Sequence, residues 1–325
     1  MCRKIGNIFV LGSGFSASCG LPTQAGLFKA LINQADPKDV PRLRNMLKLF
    51  FPHIDETADS YPPFEQFLSL LTASLDLSSD EEGSLAMFPR EQQEKVRQYC
   101  LRQLRMVLVD RSESYRKNES AIQKFVRCLK TGDTIITFNW DVLIEQALRH
   151  AKKNFGFFSH ADITLLKLHG SLGWYLLKDI DRDKLLEFDK FDETLGALKP
   201  EHLNSLLDVP SLPYIVTPEH QKRPSERRAM RPIWEQAYDR LGRAAREEGS
   251  KVVVVGYSLP PEDFDARLLM RMGIGACGDD KKMLHIIDPD TEVKARYSSC
   301  ITSNIKFYQG RFTGDELPKI LAEDS

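Results

Sequence analysis

The sequence predicts a doubly wound α/β fold, a parallel sheet with helices on both faces. Three observations predict it: apolar runs of four or five residues recur along the chain, amphipathic helical stretches separate them, and the runs end on glycine or small hydrogen-bonding residues. Ile8-Phe9-Val10-Leu11 is the first such run and leads straight into Gly12-Ser13-Gly14-Phe15-Ser16. Helical spacing resumes through Leu27, Leu31 and Ile32. From 36 to 130 the pattern is helix after helix. Leu43, Met46, Leu47 and Phe50 share one face, and Phe64, Phe67, Leu68, Leu71 and Leu75 a second. Val96, Cys100, Leu104 and Val107 form a third, and Ile122, Phe125, Val126 and Leu129 a fourth; the polar stretch Asp76 to Gly83 reads as a loop.

Strands return at Thr134–Thr137, Ile163–Leu168, Tyr214–Val216, Val252–Val255 and Leu284–Ile287, with helices near Val142–Leu148 and around Trp234, Ala237, Tyr238, Leu241 and Ala245. The division is therefore a Rossmann-like core, 1–35 and 131–325, with 36–130 as a helical insertion the size of a small subdomain.

Composition narrows the function. The 325 residues carry 45 Lys+Arg against 46 Asp+Glu, a net charge of −1, so no general attraction to nucleic acid or anionic lipid is expected. No apolar run approaches a membrane span, and the start lacks a secretory pattern, so a cytoplasmic protein is expected. The six cysteines, Cys2, Cys19, Cys100, Cys128, Cys277 and Cys300, include no Cys-x-x-Cys pair, which argues against structural zinc and a disulfide framework. No metal is expected.

In an open parallel sheet, ligands bind beyond the carboxyl ends of the strands. The unusual residues stand there: Gly12, Ser13, Gly14 and Ser16 after the first strand, Asn139 and Asp141 after the second, His169 and Gly170 after the third, Gly256 and Ser258 after a fourth, and Asp288 after a fifth. Five such strand ends imply one polar cleft along a single sheet edge. The glycine loop resembles, without matching, the Gly-x-Gly-x-x-Gly fingerprint that brings backbone N–H groups to a pyrophosphate. Asp141 reads equally as a helix N-cap, whereas Asn139 is a poor strand residue with no structural reason of its own. His169 is the only histidine in a glycine-flanked strand-end context. The basic run Lys222-Arg223-Pro224-Ser225-Glu226-Arg227-Arg228 reads as a solvated loop, with a lid or partner contact as the sharper alternative.

Gly12-Ser13-Gly14-Phe15-Ser16 with Gly20-Leu21-Pro22, Thr137-x-Asn139-x-Asp141, Leu168-His169-Gly170 and Gly256-Tyr257-Ser258-Leu259, in that order, resemble the motifs of the sirtuin superfamily. Val216-Thr217-Pro218 with Lys222, and the run ending in Pro260-Pro261-Glu262-Asp263, are similar to its bacterial zinc-less branch, which includes NAD-hydrolysing effectors of anti-phage defence. Thr23-Gln24-Ala25 departs from the Asp-Phe-Arg segment of the deacetylases, and their four-cysteine module is absent.

The resemblance implies an NAD+ glycohydrolase that cleaves the nicotinamide–ribose bond, with NAD+ as substrate. Asn139 would hold the ribose hydroxyls or the attacking water, and His169 would act as general base. Gly12, Ser13, Gly14 and Ser258 would hold the diphosphate. Asp141 would face the carboxamide or cap its helix, and Asp288 would accept from the adenosine ribose or serve as the turn residue before Pro289. A harmful NADase implies gating by homo-oligomerisation or a partner defence protein. The alternative functions are an NAD-dependent protein deacylase and a nucleotide-binding regulator without catalysis.

Overall fold

The computed structural model describes residues 6–54, 61–77, 89–110, 120–157, 161–188, 195–216, 224–275, 283–301 and 304–323. Its chain runs from β1 (Ile8–Leu11) through a short helix α1 (Ser13–Ala17) to α2 (Gln24–Gln34), α3 (Val40–Phe50), α4 (Phe64–Leu77), α5 (Arg90–Asp110) and α6 (Ala121–Cys128). β2 (Thr134–Thr137) and α7 (Leu143–His150) follow, then β3 (Phe155–Gly156) and β4 (Ile163–Lys167). A run of short strands comes next: β5 (Gly170–Ser171), β6 (Trp174–Leu176), β7 (Leu185–Glu187), β8 (Leu195–Leu198) and β9 (Tyr214–Ile215). The chain then alternates α8 (Pro224–Arg246), β10 (Val252–Val255), α9 (Phe264–Gly273), β11 (Met283–Asp288), α10 (Glu292–Ser298), β12 (Asn304–Gln309) and α11 (Glu316–Ala322).

The central sheet has seven strands, all parallel, in the order β12-β11-β10-β1-β2-β4-β3. It is an α/β doubly wound fold with the Rossmann-like strand order, extended by the edge strand β3. Every residue of β1, β2, β4 and β10 is buried, which is what helices on both faces of a parallel sheet produce. Chain order reverses between β1 and β10, whose residues pair from Ile8 with Val252 to Leu11 with Val255.

Helix α6 does more than close the helical segment. Phe125 packs edge-on against Phe9 of β1 (ring centroids 5.2 Å) and against Phe15 of α1 (5.0 Å), so this helix covers one sheet face. The buried side chains of α2 to α5 join the same continuous apolar cluster as the sheet. Segment 36–130 thus shares its core with the strands. Phe28 of α2 contacts Phe67 of α4 at 5.0 Å, and Phe64 of α4 meets Trp140 beyond β2 at 6.3 Å.

Two expectations need correction. Tyr214–Ile215 is not a strand of the central sheet; it pairs antiparallel with Gly170–Ser171, beside a second small sheet ordered β6-β8-β7. An apolar pair is too short to carry a direction, and the sequence could not distinguish ribbon from core strand. Asp76 is not in a loop either, because α4 runs to Leu77; the rest of that stretch lies outside the described residues. The same holds for Thr217, Pro218, Lys222 and Arg223, while Pro224–Arg228 opens α8.

A close contact of backbone on backbone lies at the reversal point. The Gly12 N–H donates to the Val255 carbonyl (3.0 Å) and the Gly14 N–H to the Gly256 carbonyl (2.9 Å). A Cβ on Gly12 would sit 2.5 Å from the Gly256 carbonyl oxygen, and one on Gly256, whose φ is +61°, would sit 2.5 Å from the Gly14 backbone. Gly256→Ala is therefore expected to destabilise by about 3 kcal/mol or more, from left-handed strain plus overlap with backbone that cannot yield. Gly26→Ala, exposed within α2 and no closer than 3.8 Å to a neighbour, is expected to stabilise by up to about 1 kcal/mol. Chemical denaturation of the two variants against the parent checks both signs.

Candidate functional site

The parallel register brings the ends of β1, β2, β4, β10 and β11 to one edge of the sheet. The ladder continues a step past the strands: Phe138 N–H donates to Leu11 O (3.1 Å), Leu168 N–H to Thr137 O (3.0 Å) and Gly256 N–H to Ile287 O (3.0 Å). This places the following residues at fixed heights above the sheet. The polar side chains there divide into two sets.

The first set centres on Ser16. Asn139 Nδ2 donates to the Gly12 carbonyl (2.8 Å) and to Ser16 Oγ (2.9 Å). Ser16 Oγ in turn donates to Asp141 Oδ2 (2.7 Å). The other oxygen of Asp141 accepts from the Leu143 N–H (3.1 Å), so the carboxylate satisfies the start of α7 while Val142 occupies the cap position itself. Beneath it, the wholly buried Lys167 ammonium donates to the Asp141 carbonyl and to Glu145 Oε1 (2.8 Å). Burial pushes the Glu145 carboxyl up, and the neighbouring Lys167 opposes that shift. Lys167 and Glu145 carried no signal in the sequence beyond a charge at each position, since helix and strand had first to be brought together.

The second set centres on His169, which is 2% exposed. Its Nε2 lies 3.2 Å from Asp263 Oδ2 without hydrogen-bond alignment, and among the described residues neither imidazole nitrogen has a hydrogen-bond partner. Asp263 accepts from the Tyr257 hydroxyl (2.7 Å) and, as the N-cap of α9, from the Ala266 N–H (3.2 Å). The Phe138 ring stacks on Tyr257 at 4.0 Å and meets His169 edge-on at 5.2 Å. Burial, then the Asp263 charge, raises the Tyr257 phenol well above its ordinary value.

Helix α4 supplies a further acid. Glu65 accepts from Gln24 Nε2 (2.6 Å), and burial followed by the charges of Asp263 and Glu262 pushes its pKa from 4.5 to about 8. Asp263 and Glu65 were not singled out from the sequence. Asp263 was visible as an acid three residues before Ala266, the spacing of a side-chain cap.

The remaining predicted positions fall as follows. Ser13 and Ser258 are half-buried on the two facing loops, and the Ser258 carbonyl accepts from Arg296 (3.1 Å). Asp288 ends β11, is 6% exposed, and accepts from the Asp290 N–H (2.9 Å), a turn contact that leaves its second oxygen to other partners. Burial raises its carboxyl above the ordinary range. The glycine N–H groups of the first loop are spent on protein carbonyls, so Gly12 and Gly14 serve the loop-to-loop contact. Asn139 and His169 share the sheet edge but hold different partners. Among the described residues, no cluster of three or more His, Cys, Asp or Glu side chains is arranged to hold a metal ion, and no helix is long and apolar enough to cross a membrane.

No family model matches the chain, and no curated protein is significantly similar to it.

Glu65 gives a pH test. Its folded pKa lies above its unfolded value, so the folded state holds a proton that the unfolded state has released between pH 4.5 and about 8. Stability from this group is fully present below 4.5 and is lost as pH rises toward 8, with a slope of up to about 1.4 kcal/mol per pH unit. Glu65→Gln should flatten that slope, gaining on the parent as pH rises. Urea denaturation of both proteins from pH 5 to 8.5 reads it, and parallel curves would refute the assignment.

Proposed function

We propose that the protein is an NAD+ hydrolase of sirtuin-like type that cleaves the nicotinamide–ribose bond. The observation that carries this reading is His169: an imidazole buried at a strand tip of a Rossmann-like sheet, 3.2 Å from a carboxylate, with neither nitrogen hydrogen-bonded among the described residues. Buried polar atoms are normally satisfied, and exceptions concentrate where chemistry is done. The dinucleotide would lie along the strand tips, with Gly12, Ser13, Gly14, Gly256 and Ser258 near its diphosphate and Asp288 near the adenosine ribose.

Cleavage of this bond passes through an oxocarbenium-like state, with nicotinamide leaving as a neutral molecule and water adding at the sugar carbon. The protein's task is to hold the ribose, stabilise the cation and direct the water. His169 would take the proton from that water, and Asp263 would hold the resulting imidazolium. Asn139, supported by Ser16 and Asp141, would present its amide oxygen to the ribose hydroxyls or the water. Asp141 engages Ser16 and α7 through its two oxygens, which makes it a support for Asn139 more readily than a direct carboxamide ligand.

The 2% exposure of His169 supports a gated enzyme in which Glu65 and Phe64 of α4 stand beside the strand tips. An oligomer or partner defence protein in the bacterial cytoplasm would supply the opening.

Purified protein is incubated with NAD+, with and without lysate from phage-infected bacteria, and nicotinamide and ADP-ribose are quantified. Asn139→Ala and His169→Ala should each lower the activated rate by about a hundredfold or more. Parental rates in both variants would reject the site. Acyl loss from an added acylated peptide in step with nicotinamide release would instead make the protein a deacylase.

A further inference from the structure

A cavity of about 130 Å³ lies apart from His169 and Asn139, between α7 and the small sheet β6-β8-β7. Three of its walls are the rings of Phe157, Trp174 and Phe188, which meet pairwise at centroid distances of 5.5, 5.4 and 5.0 Å and interplanar angles of 85°, 76° and 71°. Rings so nearly perpendicular make a corner, with faces and edges turned to whatever occupies it. Its size is close to that of an engineered apolar cavity of about 150 Å³ that takes up one benzene ring.

Two polar residues break the apolar lining, and each is incomplete. Glu145 is 2% exposed and spends Oε1 on Lys167, while its Oε2 is buried without a partner among the described residues. Trp174 is 1% exposed, and its indole N–H is likewise buried without a partner among the described residues. One is an acceptor and the other a donor. A buried polar atom left unpaired is costly, and two of complementary kind on residues that line one cavity call for a ligand that answers both.

We propose that this cavity binds a single-ring aromatic amide, neutral and flat, whose N–H donates to Glu145 Oε2 and whose carbonyl accepts from the Trp174 indole. The three rings contact its faces and edge, and Gly173 and the small side chain of Ala197 complete the lining. An organic cation fits less well, because the indole N–H would gain no acceptor and the Lys167 ammonium already stands against Glu145. The site does not depend on the proposed NAD+ hydrolysis. Lys167 joins it to that region by bridging Glu145 and the carbonyl of Asp141.

Benzamide is the compound to use, titrated against the full chain by ligand-observed NMR, with toluene as the same ring lacking the amide. Saturable binding is expected with a Kd near or below about 1 mM, reasonable for so small a ligand. Intermolecular NOEs should run from the benzamide ring to Phe157 and Phe188. Trp174→Phe, which removes only the indole donor and part of the ring, should weaken binding about tenfold. Ala197→Val should weaken it further by filling space. Excess ADP-ribose should leave benzamide bound. Absence of saturable binding, toluene binding as tightly as benzamide, displacement by ADP-ribose, or NOEs to Phe138 or Tyr257 in place of Phe157 and Phe188 would each overturn the proposal, and the NOE pattern decides the matter on the parent chain if either variant fails to fold.

Discussion

The contact of backbone on backbone between the loop after β1 and the loop after β10 governs this molecule. Chain order reverses there, and in most doubly wound sheets the two loops diverge to leave a crevice. Here Gly14 and Gly256 approach so closely that neither tolerates a methyl group. The floor of the strand-tip region is therefore fixed, and the positions of Asn139, Ser16, Tyr257 and Ser258 follow from it. Ser16 stands in α1 above that floor, and Asn139 is held there by donating to Ser16 and to the Gly12 carbonyl, which also accepts from the Phe15 N–H.

Above the floor, two buried polar assemblies are held by different logic. Ser16, Asn139 and Asp141 form a satisfied chain in which each donor has an acceptor, so their geometry is over-determined. His169 is held by packing instead, between Phe138 and Trp234, with a carboxylate near but not aligned. A satisfied network resists movement. An imidazole confined by rings has no hydrogen bond among the described residues to break before it turns toward Asp263.

The fold was legible because burial on both faces leaves a plain mark, four apolar residues and a glycine. Asn304–Gln309 escaped notice because an edge strand alternates polar and apolar residues, and the three-stranded sheet because its strands are three or four residues long. Asn139, Ser16 and Asp141 were legible as residues out of keeping with their positions. Asp263 and Glu65 were not, since each looks like an ordinary helix-start acid until folding sets the starts of α4 and α9 near each other. The glycines of the first loop were visible, but their use was not: sequence shows where a side chain is missing and is silent on whether protein or ligand fills the gap.

Lys167 is an amine with no contact with solvent. Its ammonium is committed to Glu145 and to the Asp141 carbonyl, so acylating reagents that modify surface lysines within minutes should pass it over. Any slow modification at this one position would measure how often the layer between α7 and the sheet parts, giving a clock for local opening at the heart of the molecule.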